Sequence, residues 1–97
     1  MLEDSCINIQ KSLYFDINIG EWVLVDYFGD FFPGKITDHK GDSVSVSCLE
    51  KAGNYFKYPI IPDMHWYSIS DIIATLHEPE LKTTRGCYSY VIKKKIR

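Results

Sequence analysis

The chain has 97 residues, of which 45% are hydrophobic and 25% are charged, a composition typical of one small globular domain and not of a disordered segment. No apolar run approaches the roughly 20 residues that a membrane-spanning helix needs. The acidic start Met1-Leu2-Glu3-Asp4 is unlike a signal peptide. We therefore expect an intracellular protein without membrane association, and the small size disfavours an enzyme.

The cysteines and histidines form no metal or redox motif. Cys6, Cys48 and Cys87 are far apart, and the three histidines are equally scattered. A disulfide framework or a zinc site needs closer spacing and more ligands. The chain also has no Gly-rich phosphate loop and no G-x-S-x-G motif. We expect no metal, no cofactor and no catalytic activity.

The charge is divided unevenly along the chain. Residues 1–80 hold five lysines, no arginine and all 13 acidic residues, a net charge of −8, whereas residues 81–97 hold six basic residues and no acid. An acidic body repels phosphate and attracts a basic peptide. We therefore expect a basic protein or peptide partner, and no nucleic acid on the body. The basic run at 93–97 is expected to be a mobile, solvated terminus, with nucleic-acid contact or nuclear import as alternatives.

Turn signals recur every several residues and predict an all-β domain. We predict five strands, at residues 21–28, 31–39, 43–50, 55–60 and 72–76, with helix as the rival assignment for the last. Residues 87–92 form either a sixth strand or part of a disordered tail. So many short strands in so short a chain predict a strongly bent antiparallel barrel.

The first hairpin is predicted from its turn residues. Gly29-Asp30 is expected to be a two-residue type II′ turn, because glycine suits its first position. Pro33 and Gly34 predict a bulge or an unpaired stretch in the second strand. The expected core residues are apolar positions of four strands: Val23, Val25, Ile36, Val44, Val46 and Ile73.

Other segments carry weaker signals. Strand 21–28 is apolar on both faces, so both faces are expected to be covered, whereas Ser43, Ser45 and Ser47 are expected to face solvent. Residues 61–65 are expected to form a loop around Pro62. Ser68 and Asp71 have capping-box spacing, which predicts a single turn of 3₁₀ helix before the last strand.

Several short patterns together resemble a Tudor-type domain of the SH3-like barrel group. Gly20-Glu21 precedes an apolar strand, an aromatic-Pro-small-x-Ile run extends from Phe32 to Ile36, and a V-x-V pattern follows at residues 44–46. Ser70-Asp71-Ile72 resembles the short turn before the last strand of that family. The resemblance covers roughly residues 17–77. It implies a small five-stranded barrel with residues 1–16 as a lead-in and residues 78–97 as an extension.

The resemblance also implies a function. Tudor domains commonly bind methylated arginine or lysine in a cage of aromatic rings, through cation–π attraction. It therefore implies a basic, methylated peptide of a chromatin or RNA-silencing partner, and the nucleus in preference to the cytoplasm. The oligomeric state is left open by the sequence.

The cage residues are carried over by position. Tyr27 and Phe32 match two cage aromatics at the ends of the first hairpin. The usual third ring is missing, since Cys48 and Leu49 occupy its place. The replacement rings and the acid come from four candidates: Tyr55 or Phe56 for the ring, and Asp26 or Asp30 for the carboxylate.

Each ring also has a structural alternative. Phe32 belongs to the core in that alternative, Tyr27 caps the barrel end, and the rings at 55, 58, 66 and 67 pack the long insertion onto the barrel. The competing function is then a structural adaptor with a degenerate cage. It docks a partner independently of methylation, by exposed aromatics or by strand addition near Pro59.

Overall fold

The computed structural model describes residues 17–96. The predicted lead-in at 1–16 and the last residue of the basic run, Arg97, lie outside this part. The described residues form an all-β structure with ten strands and one 3₁₀ turn, which confirms the predicted class. The elements are β1 Trp22–Tyr27, β2 Asp30–Lys40, β3 Ser43–Cys48, β4 Glu50–Ala52, β5 Tyr55–Lys57, β6 Asp63–Ser68, the 3₁₀ turn Ile69–Asp71, β7 Ile72–Leu76, β8 Glu80–Leu81, β9 Cys87–Ser89 and β10 Ile92–Lys95.

The strands form two antiparallel sheets. The larger has six strands in the order β10-β7-β1-β2-β3-β6, and the smaller has four in the order β4-β5-β9-β8. The two edges of the larger sheet are therefore β6 and β10.

The larger sheet bends back on itself. β6 and β7 are four strand spacings apart in the sheet order, which is about 19 Å in a flat sheet. Only the 3₁₀ turn Ile69–Asp71 separates Ser68 from Ile72, and those four steps reach at most about 14 Å even when fully extended. The sheet must curve to bring its β6 edge toward β7.

The inner face of this curved sheet carries the first hydrophobic core. Its buried residues come from β1, β2, β3, β6 and β7, with Ile17 and Ile69 added from the flanking segments. Phe32 and Ile96 pack against it from positions that are partly exposed. Five of the six predicted core residues belong to this cluster, and all six are buried: Val23, Val25, Ile36, Val44, Val46 and Ile73.

The second core lies on the other face of β1 and β7. Trp22, Leu24 and Leu76 are buried there, and Phe56, Tyr88 and Tyr90 pack against the cluster. Because these last three rings come from β5, β9 and the residue after β9, the smaller sheet covers this face. Both faces of β1 are thus covered, as its apolar sequence predicts.

Several strand boundaries differ from the predictions. The strand at 72–76 coincides with β7, but the predicted 43–50 strand is divided into β3 and β4. The predicted 55–60 strand ends at Lys57, before Pro59. Residues 87–92 contribute to two strands, β9 and β10. The expected loop at 61–65 is wrong from Asp63 onward, because β6 begins there.

The first hairpin turns one residue earlier than predicted. Tyr27 pairs with Asp30, so the two-residue loop is Phe28-Gly29. Phe28 has φ 51° and Gly29 has φ 89°, and positive φ at both loop positions defines a type I′ turn, not type II′. The carboxylate of Asp26 accepts a hydrogen bond of 2.9 Å from the Gly29 amide, which holds the turn.

The irregularity predicted at Pro33 is absent from the β1–β2 pairing. Pro33 pairs with Leu24 and Gly34 with Val23 without a shift in register. The Pro33 carbonyl accepts a 2.9 Å hydrogen bond from Leu49, so the nitrogen of Pro33 points toward that side as well. The missing N–H therefore removes nothing from the β1–β2 ladder. The register shift of β2 lies after Ile36, in its pairing with β3.

Two further expectations are corrected. Ser45 is buried, not solvent-facing, and its hydroxyl accepts a 3.0 Å hydrogen bond from the Thr37 hydroxyl across the β2–β3 pair. The basic run is ordered, not mobile, through residue 96. β10 pairs with β7, and the Ile96 amide donates to the Ile73 carbonyl at 2.8 Å. The expected 3₁₀ turn is present, with Ser68 as its N-cap.

Candidate functional site

The tip of the β1–β2 hairpin presents two aromatic rings. Tyr27 ends β1 with 49% of its surface exposed, and Phe28 follows in the turn with 91% exposed. Their ring centroids are 4.8 Å apart in an edge-on arrangement. A bulky residue at positive φ is an uncommon and strained conformation. The hairpin therefore holds the apolar Phe28 ring in water, at a backbone conformation that is unfavourable for a bulky residue.

Strand β6 faces this tip across a cleft. Its residues 65–67 lie opposite the end of β1, and the 3₁₀ turn closes one side. We call this space the hairpin cleft; its volume is about 370 Å³. The residues that line it are Asp26, Tyr27, Phe28, His65, Trp66, Tyr67 and Asp71.

A second, smaller cleft opens on the inner face of the sheet. We call it the inner cleft, and its volume is about 160 Å³. The residues that line it are Tyr27, Phe32, Cys48, Leu49, Glu50, Asp63, His65 and Tyr67. Because Tyr27, His65 and Tyr67 line both clefts, these three side chains stand between them.

Both clefts are acidic. Their linings include four carboxylates and no lysine or arginine. The Nε2 atom of His65 lies 2.6 Å from the Asp63 carboxylate and the Lys57 ammonium lies 3.5 Å from the Glu50 carboxylate, so two of the four are already paired. At the outer side of the site, the Lys40 ammonium lies 5.7 Å from the centroid of the Trp66 ring. The site thus combines aromatic faces with negative charge, the two features that attract an organic cation.

The base of the inner cleft is chemically inert. The Cys48 thiol lies 3.7 Å from the Tyr67 hydroxyl in a buried contact. Burial raises the pKa of Cys48 to about 11, and it also raises the pKa of Tyr67 above its ordinary value. Since only a thiolate is a good nucleophile or metal ligand, Cys48 contributes packing here and no reactivity.

The structure brings together three of the six predicted site residues. Tyr27 lines both clefts, Phe32 lines the inner cleft, and Asp26 lines the hairpin cleft. Phe32 is half-buried and also packs on the first core. The two positions predicted for this ring, at the site and in the core, are therefore both met by one side chain. Asp30 is exposed beside Tyr27 in the strand register but lines neither cleft.

The predicted replacement rings lie elsewhere. Tyr55 and Phe56 belong to β5 of the smaller sheet. Phe56 packs on the second core, with its ring centroid 5.7 Å from that of Tyr90, and Tyr55 is 38% exposed. Neither lines the hairpin cleft or the inner cleft. The two-residue Gly53-Asn54 turn between β4 and β5 returns the chain into the smaller sheet, and this is why these rings are not beside Tyr27.

The rings of Trp66 and Tyr67, instead of those of Tyr55 and Phe56, line the hairpin cleft together with Tyr27. From the sequence, Trp66 and Tyr67 are expected only to pack the insertion onto the barrel. A signal for them exists in the sequence, since Asp63, His65 and Tyr67 alternate with Met64 and Trp66 directly after the break at Pro62. Pairing of this segment with β3 places Tyr67 opposite Val44, next to the core and within reach of the hairpin tip.

Residues 17–96 contain no group of potential metal ligands and no membrane-spanning helix. No three His, Cys, Asp or Glu side chains of these residues are grouped so that they could hold a metal ion. None of the helical structure in this part of the chain is long and apolar enough to cross a membrane. Comparison with known proteins found no matching family model, no matching curated protein and no matching solved structure.

Proposed function

We propose that this protein is a non-enzymatic interaction module that binds a basic peptide, and that the paired clefts receive an arginine or lysine side chain, methylated forms included. The observation that carries the proposal is the lining of the hairpin cleft. Tyr27, Trp66 and Tyr67 supply aromatic surface there, while Asp26 and Asp71 supply negative charge. A cation that enters meets rings and carboxylates with no competing lysine or arginine in the lining.

The physical basis is cation–π attraction. One good contact contributes about 0.5–1 kcal/mol at an exposed site and about 2 kcal/mol when the cation is desolvated. Methylation keeps the charge but weakens hydration, so a methylated cation loses less water on entering. The surrounding carboxylates add a longer-range attraction that salt weakens, with a screening length of about 8 Å at physiological ionic strength.

The finer fold is also part of this proposal. We infer that β1, β2, β3, β6 and β7 correspond to the five strands of an SH3-like, Tudor-like barrel. The bend of the larger sheet and the 3₁₀ turn before β7 support this assignment. The fourth strand of the barrel is then β6, and residues 50–57 are an insertion that carries two strands of the smaller sheet.

The proposed partner follows from the same resemblance. A chromatin or RNA-silencing protein that presents a basic, methylated segment fits an acidic aromatic site, and such a partner places the protein in the nucleus. The charge distribution supports a basic protein ligand over nucleic acid at this end, because the clefts carry carboxylates where phosphate would have to approach.

One observation favours a second candidate function. The Trp66 ring already has a cation of the same chain near it, since the Lys40 ammonium lies 5.7 Å from its centroid. A ring occupied in this way is less available to a ligand. The alternative is a structural adaptor whose cage is degenerate and whose exposed aromatic rings dock a protein partner without reading methylation.

Paired alanine variants test the proposal. Tyr27→Ala removes the ring that lines both clefts, and because half of that side chain is exposed, the fold should persist. Tyr55→Ala is the matched control, since it removes an exposed tyrosine from the smaller sheet. Binding of acetylated dimethylarginine amide, trimethyllysine amide and their unmethylated forms is measured by calorimetry.

The proposal expects Tyr27→Ala to lose binding and Tyr55→Ala to keep it. Equal binding by both variants contradicts it. Unfolding of Tyr27→Ala, detected by circular dichroism, would show that the ring belongs to the core. If the folded wild-type chain binds none of the four compounds, the adaptor function takes the place of cation recognition.

A further inference from the structure

Strand β6 is an unprotected edge of the six-stranded sheet. It pairs with β3 over six consecutive residue pairs without a shift in register, and no other strand of residues 17–96 pairs with its outer side. Proteins ordinarily blunt such edges with lysine, proline or a bulge. The sequence of β6, Asp-Met-His-Trp-Tyr-Ser, contains no lysine and no proline, its single acidic side chain, Asp63, is paired with His65, and its pairing with β3 contains no bulge.

The opposite edge of the same sheet is protected. β10 carries three consecutive lysines at 93–95. Its pairing with β7 also shifts in register between Ile92 and Lys94. Both devices hinder the addition of another strand. Within one sheet, therefore, one edge is closed to strand addition and the β6 edge is open.

The backbone groups that β6 offers can be assigned from the ladder. The Ile69 amide donates to the Asp42 carbonyl at 2.8 Å, so residue 69 faces β3. In an antiparallel ladder the facing alternates along the strand. Tyr67 and His65 therefore direct their N–H and C=O groups to β3, and Trp66 and Met64 direct theirs outward. An added strand would pair with these two residues.

The chain beside this edge is unusually apolar for an exposed surface. Ile60 and Ile61, directly before β6, are 101% and 80% exposed. The side chains of Met64 and Trp66 on β6 are also exposed. A strand that lay along β6 would cover part of this apolar surface and would satisfy the outward backbone groups at the same time.

The open edge is continuous with the hairpin cleft. His65, Trp66 and Tyr67 line that cleft and are also three of the six residues of β6. A strand along β6 therefore runs past the mouth of the cleft, and one of its side chains can enter between β6 and the hairpin tip. The carboxylates there, Asp26 and Asp71, favour a basic side chain.

We propose that a basic peptide in extended conformation adds to the outer edge of β6 as a further strand and places one cationic side chain in the hairpin cleft; the second half of this inference rests on the proposed function. Charge decides between a peptide and a second copy of the chain. The hairpin cleft beside β6 is lined by Asp26 and Asp71 and by no lysine or arginine, so two such edges repel each other, whereas a basic peptide is attracted.

The test uses the full 97-residue chain and a capped nine-residue peptide that alternates valine and threonine around one central arginine, with a lysine at each end. Amide hydrogen exchange is followed by NMR. At a peptide concentration ten times the dissociation constant, only about a tenth of the protein is free, so exchange of the Met64 and Trp66 amides should slow about tenfold. The amides of β10 serve as the internal control and should not change.

Two further peptides separate strand pairing from other modes of binding. Each is N-methylated on one of the two alternating sets of backbone nitrogens. An added strand turns only one set toward β6, so one peptide should lose the protection and the other should keep it. Strand addition is overturned if both N-methylated peptides still protect the β6 amides, or if both lose the protection equally.

The remaining outcomes distinguish this inference from the proposed function. If acetylated arginine amide shifts the resonances of Tyr27 but the peptide protects no β6 amide, the cation site stands and strand addition is wrong. If a peptide with glutamine in place of the central arginine and of both terminal lysines protects β6 as well as the arginine peptide does, strand addition stands and the cation site is wrong. If sedimentation shows a dimer whose β6 amides are protected without peptide, a second copy occupies the edge and the proposal fails.

Discussion

Replacing Phe28 by asparagine should make the protein more stable and its binding weaker. Phe28 is held at φ 51° in the type I′ turn of the first hairpin. Asparagine adopts positive φ far more readily than phenylalanine, and Asn-Gly is the preferred pair for this turn. The ring lost in Phe28→Asn lines the hairpin cleft, so a ligand loses an aromatic contact.

The size of the stability change follows from two opposing effects. A left-handed conformation costs a non-glycine residue roughly 1–2 kcal/mol, and asparagine recovers much of this. The substitution also removes the edge-on contact with Tyr27 at 4.8 Å. Such pairs contribute about 0.5–1.5 kcal/mol when buried, and Phe28 is 91% exposed, so we take the low end. The expected net gain is about 1 kcal/mol, which raises Tm by roughly 4–8 °C in a domain of this size.

Denaturant and thermal unfolding measure the gain, and calorimetry with methylated arginine and lysine amides measures the binding. Phe28→Ala is the matched control, because alanine removes the ring but keeps the strained backbone. It should bind as weakly as Phe28→Asn without the gain in stability. If Phe28→Asn is less stable than the wild type, residue 28 is not strained in the turn. If both variants bind normally, the Phe28 ring is not part of the binding site.

Three other predictions concern the core and the C-terminal strand. Gly34→Ala should destabilise the fold by about 1–3 kcal/mol through overpacking, measured by urea unfolding, since its Cβ would lie 2.5 Å from Val46 Cγ1; an unchanged midpoint contradicts this. Because the folded chain raises the pKa of Cys48 from 9.0 to about 11, unfolding releases a proton in that window, and stability should fall by at most about 1.4 kcal/mol per pH unit between pH 9 and 11. Cys48→Ala should keep only the smaller fall that the raised pKa of Tyr67 causes as the pH approaches 10, and a slope like that of the wild type in that variant refutes the assignment. Deleting residues 92–97 should lower Tm by several degrees, because β10 and Ile96 are lost. An unchanged Tm would show that this segment is a mobile tail, as the sequence predicts.

The sequence predicts well the strands that bury one or both faces. β1, β3 and β7 carry valine, isoleucine and leucine at positions that enter one core or the other, so their hydrophobic pattern identifies them. β6 has no such pattern, because only Tyr67 of its six residues is buried. Its short polar–apolar alternation places Met64 and Trp66, which are exposed, on the apolar side, so the pattern does not reveal which side enters the core.

Part of the candidate site was missed for the same reason. Tyr27, Phe32 and Asp26 lie on the predicted hairpin and could be named from the sequence. Trp66 and Tyr67 come from β6, and their approach to Tyr27 depends on the bend of the sheet. A one-residue error in the turn also concealed Phe28, since a bulky aromatic is a poor choice for positive φ and local rules place glycine there instead.

An NMR titration of the unmodified chain shows whether the clefts beside the hairpin tip recognise a cation. Acetylated dimethylarginine amide and trimethyllysine amide are added in turn, with acetylated glutamine amide as the neutral control. Cation recognition at the clefts predicts saturable shifts of the Tyr27 and Tyr67 rings and of the Trp66 indole, with none at Tyr55, and weaker binding at high salt. Shifts that are absent from both clefts, or that the neutral amide reproduces, would contradict it.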